Sequence, residues 1–141
     1  MQIHKTLGYL GLLPFLFAIA MTLTTTTLFG HSGATLFVAY SVAIACFLCG
    51  TMWLQQSHQE ENKLPLYSNI LTLVAATCLL LSTSLALAIL TLIYLAIYVM
   101  EVRIVRFNEQ ASGISVIDYG VMRLTLTIIV VALHLAMQIF T

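Results

Sequence analysis

One stretch of the sequence decides the fold: residues 64–100 read LPLYSNILTLVAATCLLLSTSLALAILTLIYLAIYVM, and none of these 37 residues is charged. A single α-helix of that length would be about 55 Å long, whereas the hydrocarbon core of a bilayer is about 30 Å thick. The stretch therefore predicts two membrane spans joined by a bend. We expect the bend at Ser82–Ser84 (STS), the polar cluster inside the stretch.

The composition of the whole chain agrees with a membrane location. The chain has 141 residues, of which 61% are hydrophobic and 7% are charged. A water-soluble globular chain carries about 25% charged residues, so most of this surface must face lipid. The formal net charge is zero, which gives no basic field for nucleic acid, and we expect no nucleic-acid partner.

Three further apolar runs flank this stretch, and the first is too long for the apolar region of a signal peptide. Polar connections separate the runs at residues 55–63 and 107–118, and Pro14 should kink the first span. We predict an all-α integral membrane protein with a single domain, residues 1–141, built as a bundle of five transmembrane helices. The expected spans are residues 7–29, 34–54, 66–81, 85–105 and 119–140.

The basic residues predict the orientation of these five spans. All five lie on one side of the predicted bundle: Lys5, Lys63, Arg103, Arg106 and Arg123. Positively charged loops stay in the cytoplasm. We therefore expect a multi-pass protein of the bacterial inner membrane, with a cytoplasmic N-terminus and a periplasmic C-terminus. The start of the sequence shows no arginine-rich presequence, which favours a bacterial membrane over a mitochondrial one.

The second span carries small residues at helical spacing. We call the following set the packing seam: Ala39, Ala43, Cys46, Gly50 and Trp53. A second small stripe contains Ser41, Ala45 and Cys49. Small residues allow helix backbones to approach closely in lipid, so two stripes predict a central helix with neighbours on more than one side.

Cys46 and Cys49 also form a C-x-x-C pair, which raises an alternative. Thiolates with Met52 would suit Cu(I), and His134 and Met137 share a face of the last span. A free cysteine in apolar surroundings behaves as a small hydrophobic residue, and His134 is expected nearer the other membrane surface. We therefore favour packing and expect no metal and no cofactor.

Two groups of polar residues are candidate sites. The first, at the cytoplasmic side, is a polar rim made of Glu101, Arg103, Arg106, Asp118 and Arg123. Glu101 either emerges into water or forms an interhelical ion pair with Arg123. The second is an outer pocket of His31 and His134 with the threonines of residues 22–27. Because His134 lies inside a span, we expect it to be hydrogen-bonded within the bundle, for example to a threonine of the first span.

Three segments resemble a known family: residues 7–15 (LGYLGLLPF), 40–53 (YSVAIACFLCGTMW) and 122–134 (MRLTLTIIVVALH). The resemblance is to small bacterial membrane proteins of unknown function related to mitochondrial transmembrane protein 69. The matching positions are Gly11, Pro14, Phe15, Tyr40, Ser41, Phe47, Gly50, Trp53, Arg123, Leu126 and Thr127. Cys49 stands where the family pattern has a glycine, so the C-x-x-C pair is particular to this chain. The resemblance implies an integral membrane protein without an assigned reaction.

These sequence features are compatible with three functions. Short loops and the small number of potentially reactive side chains favour a non-enzymatic scaffold, assembly factor or subunit that acts through helix packing. Its partners would be the bilayer and another membrane protein or a second copy of the chain. A small-solute carrier or channel is an alternative, although carriers usually place ionisable groups near the midplane. A membrane enzyme or a lipid- or quinone-binding protein is another, and it would use the polar rim.

Overall fold

Apolar helices form most of the structure, a computed structural model. It describes residues 2–52, 63–112 and 117–141, with the side chains of residues 6–52, 63–103 and 120–141. The described elements are α1 Gln2–Leu10, α2 Leu13–Leu23, β1 Thr27–Leu28, β2 His31–Ser32, α3 Gly33–Thr51, α4 Leu64–Thr77, α5 Thr83–Ser112 and α6 Ile117–Phe140. A 3-10 turn, Cys78–Leu80, follows α4.

Within the described residues, four helical segments are long and apolar enough to cross a membrane: Thr6–Leu23, Gly33–Thr51, Thr83–Arg103 and Gly120–Phe140. A fifth apolar segment, Leu64–Leu80, is shorter. The structure therefore has the helical architecture of a membrane protein, and the crossing by the fifth segment stays a prediction.

The first span is broken near its middle. The helix is interrupted between Leu10 and Leu13, and Pro14 lies in the first turn of α2. Proline lacks a backbone N–H, and that absence costs least in a first turn. The expected irregularity at Pro14 is therefore present as a break just before it, and Tyr40 Oη donates a hydrogen bond to the Gly11 carbonyl there at 2.9 Å.

The predicted end of the first span, at residue 29, is wrong, because the helix already ends at Leu23. The helix stops at Leu23 because the chain leaves the helical conformation at Thr25, which adopts a positive φ of 52°. A two-residue turn with φ of 53° and 79° at Phe29 and Gly30 then joins β1 to β2. Positive φ at both central residues is the geometry of a tight hairpin turn.

The charge-free stretch folds as its length requires. The 3-10 turn ends at Leu80 and α5 begins at Thr83, so the chain bends beside the expected serines. The expected polar connection over residues 107–118 is wrong in its first part, because α5 continues to Ser112. Hydropathy marks where a helix leaves the membrane, and a helix can continue in water beyond that point.

α3 is the central helix, as the two small stripes predict, since it contacts α2, α4 and α5. Its N-terminus lies very close to α2. A Cβ added at Gly33 would lie 2.6 Å from the Thr22 backbone nitrogen and would also collide with the Ala18 carbonyl oxygen. The core contains large buried side chains from several helices, including Phe15, Phe37, Leu87, Leu90, Ile97 and Met137.

Candidate functional site

A cavity of about 410 Å³ lies between α1, α2, α3, α5 and α6. Its size falls within the range of about 300–1,000 Å³ found for small-molecule sites. Most of its wall is apolar, with residues such as Leu12, Ile44, Leu48, Leu126 and Val130. Among the described residues, the wall contains one acidic and one basic side chain, Glu101 and Arg123.

Helical spacing on α6 explains why this wall is continuous. Arg123, Leu126, Thr127 and Val130 recur at intervals of three and four residues and lie on one face of the helix. All four line the cavity, whereas Ile128 on the opposite face is 58% exposed. The cavity therefore occupies the side of α6 that faces the bundle.

Glycines on the first span help to keep the cavity open. Gly8 and Gly11 both line it. A Cβ added at Gly8 would lie 3.0 Å from Leu126 Cδ1, so α1 contacts the Leu126 side chain of α6 at this point.

The polar part of the wall is an interhelical ion pair. Arg123 Nε on α6 donates to Glu101 Oε2 on α5. The side chains are only 14% and 5% exposed, respectively, so the pair is largely withdrawn from solvent. Of the two interpretations of Glu101 from sequence, the structure contains the ion pair with Arg123.

A second buried polar group lies farther along α6. His134 Nε2 is 2.7 Å from Ser41 Oγ on α3, and His134 Nδ1 is 2.8 Å from the Val130 carbonyl oxygen. A carbonyl only accepts, so Nδ1 carries the proton, and in the neutral ring Nε2 accepts from the Ser41 hydroxyl. Tyr94 Oη on α5 donates to the Ser41 carbonyl at 2.9 Å. These contacts connect three helices through Ser41, Tyr94 and His134, which we call the histidine cluster.

Aromatic rings enclose the histidine cluster. The centroids of Phe37, Tyr94 and Phe15 lie 5.0, 5.3 and 5.8 Å from that of His134. Ser41 and His134 are 0% and 1% exposed. Both ring nitrogens have partners inside the protein, so the cluster acts chemically as an internal connection between helices. Tyr94 also forms part of the cavity wall.

The structure brings together only part of the predicted polar rim. Glu101 and Arg123 are paired, whereas Arg103 is exposed. The side chains of Arg106 and Asp118 lie outside the described residues.

The expected outer pocket is not assembled. His31 is exposed on β2, whereas His134 is buried against α3. The threonine hydroxyls near the end of α2 bond largely to nearby backbone: Thr22 reaches the Ala18 carbonyl and Thr24 the Ala20 carbonyl. The partner of His134 is therefore Ser41 of the second span, and the expectation of a first-span threonine is wrong.

The packing seam faces outward in the single chain. Ala39, Ala43 and Gly50 are exposed and Cys46 is half-buried. The side chain of Trp53 lies outside the described residues. The second stripe is the buried one, with Ser41 and Ala45 at 0% and Cys49 at 1% exposure. The buried face of α3 combines Ser41, which bonds to His134, with large apolar side chains such as Phe37 and Val42.

The cysteines are free thiols in the structure: Cys46 is half-buried, and Cys49 and Cys78 are buried. Within the described residues, no group of three or more histidine, cysteine or acidic side chains is arranged to hold a metal ion.

Sequence reasoning missed Tyr94 and the role of Ser41. One signal was available, since Tyr94 lies in the middle of the expected span 85–105 and membrane tyrosines are enriched at the interfaces instead. A tyrosine far from the interface needs a hydrogen-bond partner inside the bundle.

The fold and the cavity define a helical integral membrane protein with a half-open, mostly apolar cavity. A family model described as "Protein of unknown function (DUF3429)" matches residues 2–139, and the chain belongs to this family. No curated protein and no solved structure matches the chain significantly.

Proposed function

We propose that the protein binds a lipid-like molecule, with a polar head and an apolar chain, in the cavity beside α6. The observation that carries the proposal is the distribution of polarity in the described part of the wall, where an ion pair lies within an otherwise mostly apolar lining. Ligand sites combine apolar walls with a few placed polar groups.

The direction of the cavity supports this proposal. Tyr94 and Glu101 both line it and are seven residues apart on α5, which corresponds to about 10 Å along the helix. Glu101 is the first charged residue after the stretch without charges, so the ion pair belongs near the membrane surface and Tyr94 deeper. A head at the ion pair and a chain directed towards Tyr94 would match the polarity of the bilayer.

Mass spectrometry of a solvent extract from the purified protein tests the proposal. We expect about one equivalent of an amphiphile per chain from the wild type. Val130→Phe and, independently, Thr127→Phe place a ring in the cavity and should lower the yield at least several-fold. Ile128→Phe adds the same ring on the outer face of α6 and should leave it unchanged. Equal yields from all four proteins would contradict the proposal.

A second candidate function is that of a scaffold or subunit that acts through helix packing. It is favoured by the exposed small residues Ala39, Ala43 and Gly50 on α3. The spacing of Ala39 and Ala43, and of Cys46 and Gly50, is the small-xxx-small pattern of membrane helix contacts. Ala43→Leu should then abolish recovery of a complex from the native membrane. Ala88→Leu, at an exposed alanine of α5, is the matched control.

We further propose five membrane crossings in a bacterial inner membrane, with a cytoplasmic N-terminus, in line with the resemblance to proteins related to mitochondrial transmembrane protein 69. The segment Leu64–Leu80 has 14 α-helical residues and a three-residue 3-10 turn, which together extend about 27 Å, close to the thickness of the hydrocarbon core. A phosphatase fused after Thr141 should be active in the periplasm. An inactive fusion that is stable in the cell would place the C-terminus in the cytoplasm and contradict this topology.

A further inference from the structure

We infer that the bound molecule enters and leaves sideways from the lipid, through an opening between α1 and α3, and that α1 moves to admit it. We call this opening the lateral portal and define it by its two flanking residues, Leu7 and Phe47. The inference rests on the proposed function, since it gives the route to the cavity that is proposed to hold the molecule.

The exposed part of the cavity wall locates the portal. A side chain that lines the cavity and is also exposed lies where the cavity reaches the surface of the bundle. Among the described residues of the wall, two are exposed: Leu7 on α1 at 61% and Phe47 on α3 at 66%. Both side chains are hydrocarbon, and both residues lie inside the apolar segments Thr6–Leu23 and Gly33–Thr51. The portal therefore opens towards lipid.

The two flanking residues lie at comparable depths. The hydrogen bond from Tyr40 Oη to the Gly11 carbonyl brings the first span and α3 together. Leu7 lies four residues from Gly11, and Phe47 lies seven residues from Tyr40, which correspond to about 6 and 10 Å along the helices. Both directions lead away from the β1–β2 hairpin, because that hairpin connects the packed helices α2 and α3. In the proposed topology the portal opens into the cytoplasmic leaflet.

α1 is held in place by little buried apolar surface. None of the described side chains of residues 6–14 is buried, and the first buried side chain is that of Phe15 in α2. α1 packs against α6, where a Cβ added at Gly8 would meet the Leu126 side chain. Segments with few buried apolar contacts open at a low free energy. We therefore expect α1 to be the side of the portal that moves.

The break after α1 is a suitable hinge. Proline lacks a backbone N–H, so Pro14 cannot donate to the carbonyl of Leu10, four residues earlier, and the helix is interrupted there. Beyond the break α2 lies close to α3, because a Cβ added at Gly33 would collide with α2 backbone. Hinges are a few residues at the ends of elements that absorb a change in φ and ψ. α1 can therefore swing away from α3 at the break while α2 stays in place.

Exchange of the bound molecule tests the route without first identifying the molecule. The full chain, carrying its unlabelled amphiphile, is immobilised on affinity resin in mixed micelles. The micelles contain an excess of the total lipid of the native membrane, uniformly labelled with deuterium. Samples are washed and extracted at successive times, and mass spectrometry gives the deuterated fraction of the amphiphile.

A covalent staple tests whether the portal is the route. Leu7→Cys/Phe47→Cys is made in a chain whose native cysteines are replaced by alanine: Cys46, Cys49 and Cys78. A short bismaleimide joins the two new thiols, whereas N-ethylmaleimide caps both without joining them and provides the matched control. Melting temperatures report whether both proteins are folded. We expect exchange to be at least several-fold slower in the stapled protein than in the capped one.

Truncation of the flanking ring should have the opposite effect. Phe47→Ala widens the portal and should speed exchange several-fold. Leu92→Ala is the control, since Leu92 on α5 is equally exposed at 66% and lies outside the described wall of the cavity. Equal exchange rates in the two variants would contradict a portal flanked by Phe47.

The inference and the proposed function fail in different ways. An amphiphile that exchanges equally fast in the stapled and capped proteins would show that the route is wrong and leave the proposed function standing. Failure of the short bismaleimide to join the two positions would also overturn the portal, because its two sides would then not face each other. A wild-type extract without amphiphile would overturn the proposed function and this inference with it.

Discussion

Two buried polar residues on α6, His134 and Arg123, occupy different surroundings. His134 has partners at both ring nitrogens and aromatic rings around it. Among the residues that the structure describes, Arg123 pairs with Glu101, and its side chain lines a cavity. We call the region of α2, α3 and α6 around His134 and Gly33 the closed half, and the region around the cavity the open half.

The difference shows how to tell a structural polar group from a binding group inside a membrane protein. A polar side chain whose hydrogen bonds are all made within the bundle stabilises helix contacts and has little left for a ligand. A polar side chain with unused donors beside an unfilled volume is suited to one. Stability should therefore depend mainly on the closed half, and ligand binding on the open half.

The largest expected effect on stability is in the closed half, at Gly33. In Gly33→Ala the added Cβ would collide with backbone of α2, so the two helices must separate. We expect the free energy of unfolding in mixed micelles to fall by about 3 kcal/mol. Gly50→Ala on the same helix is the control, since its Cβ meets nothing within 4 Å and alanine favours a helix by up to about 1 kcal/mol. Similar losses in the two variants would remove the distinction between packed and open positions.

The ion pair of the open half should also matter for stability, but only when one member is removed. Arg123→Met removes the guanidinium that pairs with Glu101, whose side chain is 5% exposed, and we expect a loss of about 2–3 kcal/mol in a denaturant titration. The double variant Glu101→Leu/Arg123→Met removes both charges and should lie within about 1 kcal/mol of the wild type. A double variant as unstable as the single one would show that the pair has a structural role comparable to that of the histidine cluster.

Ser41→Ala tests the histidine cluster directly. It removes the hydroxyl that lies 2.7 Å from His134 Nε2, and we expect a loss of about 1–2 kcal/mol with the yield of extracted amphiphile unchanged. The cost should be smaller when measured in a His134→Phe background, because the hydrogen bond is already absent there. A cost independent of His134 would assign the effect of Ser41 to packing alone.

The smallest effect should come from Gly8→Ala in the open half. The nearest atom to the added Cβ is the tip of the Leu126 side chain, 3.0 Å away. A flexible side chain can turn away, so we expect a change of less than about 1 kcal/mol in the same titration. A loss as large as that of Gly33→Ala would mean that α1 and α6 are as tightly packed as α2 and α3.

The sequence predicts the helical membrane architecture well because hydrophobic length is a strong physical constraint. The stretch 64–100 has to bend, and it does so beside Ser82. The end of the first span was missed because Thr25 leaves the helix through a positive φ, which hydropathy does not encode. The extent of α5 was missed because polar residues do not by themselves end a helix.

The candidate site was only partly predictable. Glu101 and Arg123 could be proposed as partners because both are charged and lie at the same predicted membrane depth. The cavity could not be predicted, because its walls come from five helices and its volume depends on how side chains such as Leu126 pack. The exposure of Ala39 and Ala43 was missed because the sequence does not show which of the two small stripes on α3 is buried.

A native mass spectrum of protein released gently from its own membrane tests the central claim most directly, if the wild type is compared with Ser41→Ala and Val130→Phe. We predict one amphiphile adduct per chain on the wild type and on Ser41→Ala, despite the lower stability of that variant. The adduct should be absent from folded Val130→Phe. An adduct lost from Ser41→Ala and kept by Val130→Phe would contradict the assignment of stability to the closed half and of binding to the open half.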